Sequence, residues 1–126
     1  IRELISVLKL QEICNKILGV HEGIRWVKFI DPHGKITFEN KRSQVTPYLT
    51  TDAMENLREL WITIIQGIIG KIAQYWGLPK HMHILFEKVL VVGLPYVGGT
   101  LVITAEPYVP LETIAEIQGI LKSETL

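Results

Sequence analysis

His81 and His83 are the residues whose spacing comes nearest to chemistry. Positions two apart on a strand share a face, so the stretch HMHILFE (His81–Glu87) sets two imidazoles side by side. Structural zinc takes four ligands and catalytic zinc three. A third ligand would have to be Glu87, two pleats on, or come from another strand, and the chain's one cysteine lies far away in sequence. The pair therefore reads as polar residues on a partly exposed strand whose edge would respond to mild acid, and no metal is assigned. His33 sits in a turn and His21 before a strand, neither with a nucleophile or carboxylate at motif spacing. No Gly-x-Ser-x-Gly, phosphate loop or dinucleotide fingerprint occurs. The glycines from Gly93 to Gly99 precede a strand, so they present no helix N-terminus to a phosphate. We expect no catalytic residue and no cofactor, hence no enzyme.

The remaining reactive groups have plainer readings. Cys14, among Leu10, Ile13, Ile17 and Leu18, behaves as a small buried apolar residue. It has no internal disulfide partner, which suits a reducing, cytoplasmic setting. Arg25, Lys28, Lys35, Lys41 and Arg42 cluster near one hairpin and read as a solvated face. Trp26, Trp61 and Trp76 read as core or interface. Thirteen basic residues balance thirteen acidic ones, so there is no electrostatic reason to bind nucleic acid or anionic lipid. The uncharged helical run Leu60 to Gly70 is too short to span a bilayer, which takes about 20 residues. The chain opens on Ile1, so residues are expected before it, and no signal peptide is recognisable at its start.

With 126 residues and 48 % hydrophobic content, one folded domain over 1–126 is expected. A first helix covers residues 1–19, with Ile1, Leu4, Ile5, Leu8, Leu10, Ile13, Cys14, Ile17 and Leu18 at helical spacing and Gly19 as its stop. Ile24–Asp31 is a central strand, with Ile24, Trp26 and Ile30 on one face and Val27 and Phe29 on the other. The turn Asp31-Pro32-His33-Gly34 leads to an outer strand, Lys35–Asn40, with Ile36 and Phe38 inward. Three more strands are read at His81–Glu87, Val89–Leu94 and Thr100–Glu106, and a last helix carries Leu111, Ile114, Ile117 and Leu121 inward. The class is α+β, in the order α-β-β-α-β-β-β-α. It implies a five-stranded antiparallel sheet with a long central helix on one face and the N- and C-terminal helices on the other.

That long helix, Met54 to Trp76, is capped by Thr50 and ended by Gly77-Leu78-Pro79. With Thr63 at zero and about 100° per residue, Thr63, Gln66, Gly67, Gly70, Lys71 and Gln74 form a polar or small stripe. Trp61, Ile62, Ile64, Ile65, Ile68, Ile69, Ile72, Ala73, Tyr75 and Trp76 cover roughly 180°, where one core needs about 100°. The surplus asks for a second surface. Gly67 and Gly70, each costing about 1 kcal/mol against alanine in a helix, point to close approach by another helix or backbone.

The order of elements, with His21-Glu22-Gly23-Ile24-Arg25-Trp26-Val27, Asp31-Pro32-His33-Gly34-Lys35-Ile36, Val91-Val92-Gly93-Leu94 and Leu101-Val102-Ile103-Thr104-Ala105-Glu106-Pro107, resembles the roadblock/dynein-light-chain superfamily and its longin and profilin-like relatives. Cys14-Asn15-Lys16-Ile17-Leu18 with Ile24-Arg25-Trp26 and Gly34-Lys35-Ile36 is similar to small uncharacterised archaeal proteins of that shape. The resemblance implies a non-catalytic homodimer, with long helices packed together and third strands paired edge to edge, serving as a platform for small GTPases, for motor components or in signalling. No motif here matches a GTPase-contacting residue.

Two functions follow. The first is a homodimeric scaffold for another protein, its interface made by Trp61, Ile62, Ile65, Ile69, Ala73 and Trp76 and by the edge residues His81, His83 and Leu85. The rival is a small-molecule sensor of PAS/GAF-like outline. Its pocket would lie between sheet and long helix, drawing on Arg25, Trp26, Phe29, Tyr48 and Thr104.

Overall fold

The computed structural model describes residues 2–124, with side chains from Val7 onward. The first-helix positions Ile1, Leu4 and Ile5 therefore lie outside the described side chains. Helix α1 (Arg2–Leu18) is followed by β1 (Ile24–Ile30) and β2 (Ile36–Lys41). A helical run comes next, made of α2 (Thr51–Gly67), a π-turn (Ile68–Ile72) and α3 (Ala73–Trp76). Strands β3 (Met82–Leu85), β4 (Leu90–Tyr96) and β5 (Gly99–Ala105) and helix α4 (Glu112–Ser123) complete the chain. The α+β class and the order α-β-β-α-β-β-β-α are as expected. The chain divides into two compact units, Ile1–Val45 with His81–Leu126, and Thr46–Lys80.

The first unit is built on one antiparallel sheet of five strands in the order β2-β1-β5-β4-β3. The strands apolar on both faces, β1, β4 and β5, have neighbours on both sides. The alternating strand β2 takes one edge, with Ile36 and Phe38 half-buried and Thr37 and Glu39 exposed. Val27 and Phe29 of β1, Leu101, Ile103 and Ala105 of β5, and Leu90, Val92 and Leu94 of β4 form one apolar face. It closes against Leu10, Ile13, Cys14 and Ile17 of α1 and Ile114 and Ile117 of α4. Each such side chain contributes about 1.5–3 kcal/mol when fully buried. Ile24 corrects the alternation expected for β1. It joins this core rather than the face of Trp26, because the register shifts between Ile24 and Trp26 and an irregularity of that kind re-aims a side chain.

The loops of this unit obey local chemistry. Asp31 accepts the N–H groups of His33 and Lys35, each at 2.9 Å, and these bonds, Lys35's first, hold its carboxyl below the ordinary range. Lys16 and Lys9 of α1 pair with Glu124 just past α4 and lower that carboxyl likewise. Gly23 sits where a Cβ would come within 2.5 Å of Val109 Cγ2, so the chain can pass there only without a side chain.

Strands β4 and β5 are joined by two residues, Val97 at φ 48° and Gly98 at φ 78°. Two positive φ values make the mirror-image turn that matches strand twist, and a β-branched residue is strained in that region. Val97 is also exposed. Val97→Asn should therefore raise stability by about 1 kcal/mol, read as a higher urea midpoint at unchanged slope.

In the second unit, Thr50 caps α2 by accepting the Ala53 N–H at 3.2 Å, and Gly77 ends the run at φ 83°. The run is not the uninterrupted α-helix expected. Between Ile68 and Ile72 it widens into a π-turn, with the Ala73 N–H donating back to Ile68 O. One residue is thereby inserted, and everything beyond lags the α-helical wheel by about 100°.

Candidate functional site

The π-turn decides which side chains line up. From Leu57 to Leu60 to Ile64 the spacing is three and four, which keeps them within about 60° of one another. Ile72 is eight residues beyond Ile64, about 80° away on a plain α-helix. One α-turn of about 3.6 residues plus one π-turn of about 4.4 brings it back into line, and Trp76 follows four residues later. Leu57, Leu60, Ile64, Ile72 and Trp76 thus form one row, and all five are exposed, Trp76 at 84 %. Around the helix from this row, Trp61 is 6 % exposed, while Met54, Arg58, Ile62 and Ile65 are half-buried, as is Ile68, which lies within the row's arc. An exposed apolar row of this size is a candidate interaction surface.

Of the residues expected at an interface, Ile69 is 48 % exposed and Trp76 lies in the row. Ile62, Ile65 and Ala73 are half-buried, and Trp61 is buried. Its indole N–H has no hydrogen-bond partner. Gly67 and Gly70 have no described residue within 4 Å of where a Cβ would stand. Gly67→Ala should add about 0.5–1 kcal/mol to the stability of a single chain. If a second helix passes close by, it should also weaken self-association. A thermal melt and sedimentation equilibrium on the same variant read the two effects separately.

The second open surface belongs to the sheet. β3 is an edge strand paired on one side only, through Met82–Gly93, His83–Val92, Ile84–Val91 and Leu85–Leu90. His81, His83, Ile84, Leu85 and the adjoining Phe86 are all exposed. An edge with exposed apolar side chains is a template for another strand.

The residues expected to line a ligand pocket are distributed over both units. Trp26 and Phe29 stand on opposite faces of β1, Phe29 in the core. Thr104 lies across from Trp26 in the register with β5, and Tyr48 belongs to the other unit, where it is exposed. Arg25 is engaged by Glu106, Nη1 to Oε1 at 2.7 Å. The cavity lined by Ile24, Leu90, Ile103, Val109, Thr113 and Ile117 is apolar and about 10 Å³, no more than the room of one water.

The expected solvated basic face is also partly corrected. Lys28 and Lys41 lie over the Trp26 ring, 4.6 and 5.3 Å from its centroid, while the indole N–H donates to Glu39 at 3.1 Å. Arg42 turns inward to three backbone carbonyls, Ile24 O (2.8 Å), His21 O (3.0 Å) and Leu18 O. His21 also accepts the Gly23 N–H on Nδ1. The Arg42 acceptors lie 18 to 24 residues back, so local sequence does not signal that residue's structural task. Cys14 is buried, which pushes its thiol up to about 12. It should stay unlabelled by a thiol reagent in the native protein and react fully in urea.

Among the described residues no helix is long and apolar enough to cross a membrane. No family model matches the chain, and no curated protein matches it. Solved structures do. A Roadblock/LC7 domain from Streptomyces avermitilis superposes at TM-score 0.63 with 11 % identity over 88 % of this chain and 90 % of its own. The gliding protein MglB from Thermus thermophilus gives 0.66, 12 %, 92 % and 90 %. MglB in a tetrameric arrangement gives 0.64, 14 %, 89 % and 87 %. A LokiProfilin1 complexed with rabbit actin gives 0.54, 14 %, 91 % and 93 %. The chain therefore has the fold shared by Roadblock/LC7 domains and their profilin-like relatives.

Proposed function

We propose that the protein is a non-catalytic scaffold that forms a homodimer and presents a second protein, of the small-GTPase or signalling kind, with a composite surface. The exposed row Leu57, Leu60, Ile64, Ile72 and Trp76 carries this reading. Five large apolar side chains in line on one helix are costly in water and favourable against a matching helix. The open β3 edge supports it as a second contact. So does the fold, since one of its solved examples, MglB, forms a tetrameric arrangement. The buried, protonated thiol of Cys14 agrees with a cytoplasmic setting. Sedimentation equilibrium at micromolar concentration tests the proposal. It should return twice the chain mass, and a monomer throughout would refute it.

A further inference from the structure

We infer that the β3 edge binds a divalent transition cation between two copies, held by His81 and His83 of each. The inference rests on the edge-to-edge pairing proposed above. In one chain the two rings are 5.7 Å apart, centroid to centroid, and 21° from parallel. Ring nitrogens bind zinc at about 2.0–2.1 Å, and two imidazoles on one such ion have their centres at about this separation, so small side-chain rotations suffice. Both side chains are exposed, His83 on the strand that ends the sheet and His81 immediately before it.

Among the described residues no third histidine, cysteine, aspartate or glutamate joins them, so the chain alone is short of the four ligands of a closed zinc site. Two-fold pairing of β3 with its own copy supplies the rest. In an antiparallel pair, opposed residues share a face, and the two-fold axis keeps each residue on the same face as its copy. The odd-numbered positions of both strands then line one surface, with all four imidazoles on it. In the register that sets His81 opposite His83 of the copy, directly opposed Cβ atoms lie about 4.5–5.5 Å apart and diagonal ones about 7–8 Å, within reach of a common ion. Imidazole donors select zinc, nickel or copper, whereas calcium and magnesium prefer oxygen.

Titration of the chelator-treated protein with zinc chloride, by calorimetry with parallel sedimentation, tests this. One zinc per two chains is expected, with affinity falling about 100-fold or more in either His81→Gln or His83→Gln. Zinc should also tighten the wild-type dimer about tenfold and leave both variants unchanged. No saturable binding, one zinc per chain, or binding indifferent to both substitutions would overturn the inference. Sedimentation in chelator reads the dimer by itself. A dimer there without zinc binding removes the cation and keeps the scaffold, and a monomer with and without zinc removes both.

Discussion

Replacing Arg42 with methionine is expected to cost about 3 kcal/mol of folding stability, a large share of the roughly 5–15 kcal/mol typical of a domain. The guanidinium donates through Nε to Ile24 O and through Nη2 to Leu18 O and His21 O. Its own backbone N–H donates to Arg25 O at 2.9 Å. Leu18 is the last residue of α1, so the positive charge faces the negative end of that helix dipole. One side chain thus ties helix α1, the loop after it and the start of β1 to the end of β2. Methionine keeps much of the stem and loses every donor, leaving three carbonyls to find water in a half-buried place. Hydrogen bonds from a charged group are worth about 1.5–3 kcal/mol each, and partial rehydration reduces the sum. Lysine should recover less than half the loss, because an ammonium cannot reproduce the planar fork. Urea unfolding reads the result as a lower midpoint at constant slope. A midpoint unchanged within error would show that these carbonyls are already solvated.

The contrast between Arg42 and the core shows what local pattern can and cannot disclose. Ile13, Cys14 and Ile17 were legible because helical periodicity and burial are the same fact seen twice. The same holds for the doubly apolar strands β4 and β5, whose composition already required cover on both faces. Arg42 was not legible, since its acceptors lie 18 to 24 residues back and no periodic rule links a side chain to a distant carbonyl. Ile24 was misplaced for a related reason. A register shift is set by the pairing partner, and β1 alone does not carry that information. The π-turn falls between these cases. Glycines at 67 and 70 hinted at something special in the helix, but a wheel of fixed pitch puts Ile72 and Trp76 about 80° and 120° from Ile64, where the widened turn brings both within about 40° of it. The excess of apolar surface was therefore legible in the sequence, whereas the alignment of Ile72 and Trp76 with Ile64 depends on a local pitch that periodicity does not carry.

The proposed seam through Ile64 and Ile72 makes the sharpest prediction. Ile72→Asp should raise the dimer dissociation constant by about 100-fold or more, since an unpaired carboxylate buried at an interface costs about 3–5 kcal/mol and each 1.4 kcal/mol is about tenfold. The side chain is exposed in the single chain, so the fold itself should tolerate aspartate with an unchanged urea midpoint under dilute conditions. Ile69→Asp separates two versions of the interface. Ile69 is also exposed but stands about 120° around the helix from Ile64. If the seam is the row through Ile64 and Ile72, Ile69→Asp should weaken the dimer about tenfold or less. If the seam is instead centred on Ile65 and Ile69, the order of the two effects reverses. Gln74→Asp, on the polar stripe, should leave association unchanged and serves as the charge control. Sedimentation equilibrium over a concentration series ranks all three, and equal, wild-type association in both isoleucine variants would remove this helix from the interface altogether.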